Sequence, residues 1–246
     1  MVVYMENREI FSTITAIPPV FVRLDGRAFH GLAEKLSLKK PFDERFKDAM
    51  VQVCTALVAE SGLNPEFAFT FSDEISLYFV KLPFNGRVEK IDSVTASFAS
   101  STLTCALGIS YPLSFDARVI PSTPEFALEY LASRQNEAWR NHLNGYCQQA
   151  LIEEGMSAKK AAEQLKGLPA KDLHEMMHVR GFNLATTPSW QRRGVLVYKK
   201  ITQKEGFNPI TREHVVAERS AVTVDQDLPL FTTPEGQAFL RSLVGV

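Results

Sequence analysis

Apolar positions alternate early in the chain. Val20, Val22 and Leu24 are interleaved with Phe21 and Arg23, a period of two that predicts a strand stopping at the turn dipeptide Asp25-Gly26. Over 42–60 the spacing changes: Phe46, Met50, Val53 and Leu57 recur at helical intervals, with Gly62 just beyond as a stop signal, which predicts an amphipathic helix. Period two returns at Phe67, Phe69 and Phe71, breaks at Ser72-Asp73-Glu74, and resumes at Ile75, Leu77 and Phe79, so this segment reads as a hairpin with an acidic tip. Ile91, Val94, Phe98 and Cys105 share one helical face over 90–107, and 115–120 supplies another strand, ended by Pro121.

The order strand, helix, strand, strand, helix, strand is the split βαββαβ unit of ferredoxin-like α+β folds, whose first and third strands lie side by side and run oppositely. That geometry carries the end of the first strand and the tip of the hairpin to one edge of the sheet, so Asp25 and Asp73 should meet there. Beyond Pro121 the pattern is helical over 124–154, 157–165 and 170–179, followed by an apolar strand over 194–198. No linker rich in Gly, Ser or Pro and no internal repeat divides the chain. The expected organisation is therefore a core over 1–121 with an extension of helices and strands over 122–246, packed on it as one continuous unit.

Composition changes this picture little. Of 246 residues, 45% are apolar and 22% charged, which excludes fibrous and disordered classes. The net charge of -1 supplies no global positive field, so any contact with nucleic acid must come from local patches such as Lys39-Lys40, Lys159-Lys160, Arg192-Arg193 and Lys199-Lys200. Three widely spaced cysteines, Cys54, Cys105 and Cys147, fit neither a disulfide framework nor a zinc knuckle and suggest a reducing, cytoplasmic setting. The N-terminus does not read as a signal peptide, and no apolar run reaches membrane-spanning length.

Two motifs carry candidate chemistry. Magnesium takes hard oxygen ligands and is held by one or two carboxylates plus substrate phosphates, a requirement that Asp25 and Asp73 meet. Two such ions about 4 Å apart activate an attacking hydroxyl and stabilise a leaving oxygen. Gly26 could add its carbonyl, since no side chain crowds its backbone. The competing reading is that Asp-Gly and Ser-Asp-Glu are simply good turn formers. The second motif, His174-Glu175-Met176-Met177-His178, spells HExxH, which on a helix sets two imidazoles one turn apart to grip zinc beside a glutamate base, as in a metallopeptidase. Leu184 stands where a further histidine belongs, so its third ligand would be a downstream glutamate such as Glu205, Glu213 or Glu218, none in a recognisable helical context. The plainer alternative is a helix packing Leu173, Met176 and Met177 inward.

Arg23-Leu24-Asp25-Gly26-Arg27-Ala28-Phe29-His30, with Ala33-Glu34-Lys35 and Lys40-Pro41, resembles the first signature of the tRNA-histidine guanylyltransferase family. Phe71-Ser72-Asp73-Glu74-Ile75-Ser76 resembles its second, with further similarity through Ala96 to Ser101, Phe115 to Val119 and Arg134-Gln135. The resemblance implies a polymerase-like palm that extends the 5′ end of tRNA in the 3′-to-5′ direction, with GTP and ATP as substrates. It also implies a homotetramer, in which tRNA spans subunits. By position, Asp25, the Gly26 carbonyl and Asp73 would bind two magnesium ions, with Glu74 supporting them. Backbone amides from Gly26 through Arg27, Ala28 and Phe29 to His30, together with Ser72, would cradle a triphosphate. Lys40 would neutralise phosphate charge, or is a solvated surface lysine; His30 would stack on a base, or pack locally. The family's His-Ile-Asn-Asn-Leu-Tyr-Asn segment is replaced here by Trp139-Arg140-Asn141-His142-Leu143-Asn144-Gly145, which implies templated repair of truncated 5′ ends rather than non-templated guanylate addition.

Overall fold

A computed structural model describes residues 9–208 and 213–245, with side chains at position 30 and over 204–219 outside the description. The elements are β1 (Val20–Gly26), α1 (Phe29–Lys35), α2 (Glu44–Ala59), β2 (Phe67–Phe71), β3 (Glu74–Phe79), α3 (Val88–Ala106) and β4 (Phe115–Pro121) in the first half. The second half contributes α4 (Pro124–Glu153), α5 (Ala158–Leu165), α6 (Ala170–Val179), α7 (Ser189–Arg193), β5 (Val195–Asn208), β6 (Glu213–Asp225) and α8 (Pro234–Val244). One sheet takes all the strands in the order β4-β1-β3-β2-β5-β6. Every pairing is antiparallel. The βαββαβ order and the central β1–β3 pair are as the alternation predicts.

Period two sends successive side chains to opposite faces, and both faces of the central strands are covered. Val22, Leu24, Ile75 and Leu77 pack with Met50, Val53 and Leu57 of α2 and Ile91, Ala99 and Leu103 of α3. On the other face Phe21, Phe67, Phe69 and Tyr78 pack with Leu131 of α4, Leu228, Phe231 and Leu240 of α8. Phe67, Phe69 and Phe71 are thus core, as expected, and β2 and β3 are buried throughout. The long α4 belongs to two layers: its N-terminal half covers the sheet, and Leu143, Cys147 and Leu151 join a separate cluster with α5 and α6.

Caps fix the helix starts. Asp43 accepts the backbone N–H groups of Arg45 and Phe46 at the head of α2, and Thr123 accepts that of Phe126 at the head of α4. Burial works against the charged form of Asp43, but the Arg45 guanidinium and three backbone N–H groups outweigh it and hold the carboxyl at about 2. The pattern of the sequence missed α1, α7, β6 and α8, and took β5 to end ten residues early, at Tyr198 rather than Asn208. Gln135 is a buried clamp: its amide donates to the carbonyl of Pro229 and accepts from the N–H of Phe231, tying α4 to the chain's last segment.

Candidate active site

The first strand ends where the hairpin turns. Ser72 and Asp73 form a two-residue connection in which Ser72 has a φ of 50°, and the Gly26 N–H donates to the Asp73 carbonyl at 3.1 Å. In register, Asp25 lies between Glu74 of β3 and Asp116 of β4. Asp25, Asp73 and Glu74 are thereby brought to one edge of the sheet. Ser72 Oγ donates to Asp73 Oδ1 at 3.1 Å. Burial raises the Asp73 carboxyl above the usual carboxylate range; the negative charge of Asp25 adds to the rise and the hydrogen bonds oppose it.

Three arginines answer these acids. Arg23 Nε and Arg118 Nη2 each lie 3.4 Å from Asp25 Oδ2, and Arg118 also donates to Asp116 Oδ1 at 2.6 Å. Beneath them, Arg134 of α4 donates to Glu74 Oε2 at 3.2 Å and rests over the Tyr130 ring. Tyr130 in turn shares a 2.9 Å hydrogen bond with Ser76. Burial pushes the Glu74 carboxyl up, Arg134 pulls it down, and Oε1 is buried with no partner among the described residues. Alternation could not single out Arg134 as the partner of Glu74, because the two are 60 positions apart in sequence.

A divalent cation suits this edge. The donor set is two neighbouring carboxylates plus a backbone carbonyl at Gly26, all hard oxygens, and burial, with the nearby charge of Asp25 adding to it, disfavours the charged form of Asp73, a cost that a bound cation would offset. Among the described residues no group of three or more His, Cys, Asp or Glu is arranged to hold a metal by itself.

The glycine and its neighbours differ from expectation in detail. Gly26 is crowded, not open: a Cβ there would meet the Phe29 ring at 2.6 Å, so only glycine lets the ring close over the strand end. The Phe29 side chain is core, packed against Phe46 and Phe115. Of the amides proposed to cradle phosphates, Gly26 donates to Asp73 and Arg27 to Ser114, so those of Ala28, Phe29 and His30 are left at the start of α1. Ala28 there is left-handed with no side-chain cap, and the first-turn N–H groups of a helix lack intrahelical partners. Arg27, Ala28 and Ser72 are exposed; the His30 side chain lies outside the described residues.

A cavity of about 480 Å³ opens beside this edge. Ser72, Asp73 and Lys40 line it, as do Asn141, Asn144 and Gly145 from the divergent α4 segment. Lys40 is exposed at the cavity wall. Of the HExxH residues, His174 packs against the Trp139 ring, Glu175 and His178 are exposed, and Leu173 and Met177 face the core. The side chains of Glu205, Glu213 and Glu218 lie outside the described residues. Two basic candidates prove structural: Arg192 donates to the Thr187 carbonyl and Arg193 to that of Leu228. No helix among the described residues is long and apolar enough to cross a membrane.

Comparison with known proteins gives one answer. Residues 2–123 match the family model described as Thg1: tRNAHis guanylyltransferase. The chain is 34% identical over 241 residues to the probable tRNA(His) guanylyltransferase of Bos taurus, covering 90% of this chain and 79% of that protein. It is 29% identical over 212 residues to tRNA(His) guanylyltransferase 2 of Arabidopsis thaliana, covering 82% of this chain but spanning only 39% of that longer protein. A bacterial tRNA(His) guanylyltransferase (Thg1)-like protein solved in complex with ATP superposes with a TM-score of 0.78 over 99% of this chain and 98% of that one, at 22% identity, and so shares the α+β fold.

Proposed function

Because the chain belongs to the tRNA(His) guanylyltransferase family, we propose that it is a magnesium-dependent nucleotidyltransferase that adds nucleotides, from GTP or ATP, to the 5′ end of tRNA in the 3′-to-5′ direction. The observation that carries this reading is the meeting of Asp25 and Asp73, held by the Gly26 N–H on the Asp73 carbonyl. Asp25, Asp73 and the Gly26 carbonyl would hold two magnesium ions. When bound, magnesium supplies the positive charge that makes an attacking hydroxyl more acidic and offsets charge on a leaving phosphate oxygen.

The chain's own groups do the rest. The incoming nucleotide's 3′-hydroxyl attacks the phosphorus of the activated 5′ end, forming the new phosphodiester as the bond to the activating group breaks. Pyrophosphate leaves from a 5′-triphosphate, or AMP from an adenylated end, and the hydroxyl proton passes to solvent, while the amides of Ala28, Phe29 and His30, with Ser72, orient the incoming triphosphate. Lys40 brings a mobile cation to the phosphates. Glu74, fixed by Arg134, keeps the edge of the sheet in register for Asp25. Asn141, Asn144 and Gly145, from the segment that departs from the family's, line the cavity, and that departure supports templated repair of shortened 5′ ends over guanylate addition opposite a non-pairing base. The same reading places the enzyme in the cytoplasm as a homotetramer, in keeping with a net charge of -1 that leaves no single subunit a strong field for RNA.

The deciding experiment incubates the protein with a 5′-shortened tRNA, labelled nucleotides and magnesium, and measures product length. Extension by the complementary nucleotide at the 5′ end is expected. No extension, or peptide cleavage that chelator abolishes and zinc restores, overturns the reading in favour of His174, Glu175 and His178.

A further inference from the structure

On the α4 face of the sheet, charges lie in rows that cross the strands. Cross-strand partners share a face, so the register sets Asp116, Asp25 and Glu74 in one row at the edge and Arg118, Arg23 and Ser76 in the next. Like charges directly opposite one another destabilise a sheet, and Asp25 has a carboxylate on either side. Arg118 and Arg23, with Arg134 from α4, bring three positive charges against these three acids, and the six cancel. Asp73 stands in the turn beyond the row, outside this balance.

Arg118 differs from the other two arginines. Arg23 belongs to the central β1 with its side chain 21% exposed, and Arg134 is held against Glu74 and the Tyr130 ring. Arg118 stands on the outermost strand, β4, with its side chain 49% exposed. Its Nη2 is shared, lying 3.4 Å from Asp25 Oδ2 and 2.6 Å from Asp116 Oδ1. The shorter contact lets Arg118 release Asp25 and still keep an ion pair. Both arginine contacts of Asp25 fall on Oδ2, which leaves Oδ1 without a hydrogen bond among the described residues.

A bare divalent cation approaching Asp25 meets a carboxylate with positive charge already beside it, and that repulsion weakens binding. A cation carried on a triphosphate brings oxygen ligands and negative charge of its own, so it depends less on the carboxylates. We propose that Arg118 is a positioning residue that neutralises the carboxylate edge until a triphosphate arrives, so that the divalent cation enters with the nucleotide and not before it. The inference rests on the nucleotidyl-transfer reading, which makes Asp25 a ligand of that cation. In this order Arg118 yields Asp25 to the incoming ion and stays on Asp116. Cation and triphosphate then raise each other's affinity by the same factor.

The test uses the full chain and two probes. Binding of Mn2+ alone is followed by loss of the free ion's electron paramagnetic resonance signal, and binding of the Mn2+ complex of inorganic tripolyphosphate by calorimetry. Wild type should bind the complex more tightly than the bare ion. Arg118→Gln should bind bare Mn2+ about tenfold more tightly, with the complex changed by less than about threefold, and Arg118→Lys, which keeps the charge, should stay close to wild type. Adding Asp25→Asn to Arg118→Gln should abolish the gain. A residue that merely props Asp25 would loosen the ion when removed, the opposite sign. Bare Mn2+ bound by wild type as tightly as the complex overturns the inference without any variant, so a variant that fails to fold does not shelter it. Equal or weaker binding of bare Mn2+ by Arg118→Gln, equal gains in the Gln and Lys variants, or a gain that survives Asp25→Asn overturns it too. Protein that shows these contrasts yet extends no tRNA sinks the transfer reading and leaves the coupling of cation to triphosphate standing. Protein that extends tRNA while Arg118→Gln binds Mn2+ as wild type does loses this inference alone.

Discussion

Gly26 donates its backbone N–H to the carbonyl of Asp73 at 3.1 Å, joining the end of β1 to the tip of the β2–β3 hairpin. This bond joins two turns that are 47 residues apart in sequence at one edge, which carries Asp25 and Asp73. Each variant below probes a different support of that edge or of the helices behind it.

Asp25→Asn and Asp73→Asn should each lower nucleotide addition by at least about 100-fold, because each removes charge at the place where the reaction needs a cation held. Neither should unfold the protein. Burial already disfavours the charged form of Asp73, so its amide should leave the melting temperature unchanged or raised. Initial rates and thermal melts together check this; near wild-type turnover at saturating magnesium would remove the acids from the mechanism.

Gly26→Ala should cost roughly 1–3 kcal/mol, since its Cβ would meet the Phe29 ring at 2.6 Å in a packed site. Adding Phe29→Leu should return part of that loss, because the clash is with the ring and not with backbone. Denaturant titration of the two variants and the double variant measures the coupling.

Removing Arg134 should hurt far more than removing the pair. Arg134→Met leaves the buried Glu74 carboxylate without its partner, at about 3–5 kcal/mol, whereas Arg134→Met with Glu74→Gln should fall well short of the sum. Activity should drop about 10–100-fold in the single variant, the size of effect seen when support behind metal ligands is lost. Additive effects in stability would show that the ion pair does not hold this layer together.

His142 gives the molecule a pH dependence. It is fully buried, its Nε2 lies 2.8 Å from the Thr187 hydroxyl, and burial chiefly, with the nearby charges of Arg192 and His174, lowers its pKa to about 4. Unfolded histidine titrates near 6.5, so the unfolded chain binds a proton first as pH falls. Stability from this group is complete above about 6.5 and declines towards pH 4, by up to about 1.4 kcal/mol per pH unit. His142→Gln should flatten that slope, and unfolding free energies at several pH values would expose a slope that does not change.

His174→Ala and His178→Ala should leave nucleotide addition close to wild type, and the purified protein should contain no stoichiometric zinc. His174 is engaged with Trp139 and His178 points to solvent. Elemental analysis finding one tightly held zinc per chain would reinstate the peptidase reading.

Much of this architecture was readable in the chain, and the omissions have physical causes. β1 to β4 and the long helices announce themselves because one stripe or face of each must be apolar to reach a core. The seven-residue α1 spans fewer than two full turns and has no side-chain cap, so it leaves no periodic trace. The distal part of β5 pairs only with β6, and at Lys199, Lys200 and Ile201 its side chains lie at or near the surface, which removes the alternation that marks a half-buried strand. The meeting of Asp25 and Asp73 followed from strand order alone. Glu74's ties to Arg134, and those of Ser76 to Tyr130, depend on how α4 lies across the sheet, which local spacing does not encode.

The Gln135 clamp bears on how the protein is made. Its two partners, Pro229 and Phe231, leave the ribosome more than 90 residues after Gln135 does. At 5–20 residues per second that interval lasts about 5–20 s, during which one aromatic face of the sheet has no α8 to cover it. The nascent protein therefore passes through a window in which Phe67 and Phe69 are sticky, and it closes that window only once residues 228–244 have been made. Messages that stop before codon 229 should yield aggregates rather than a smaller working enzyme.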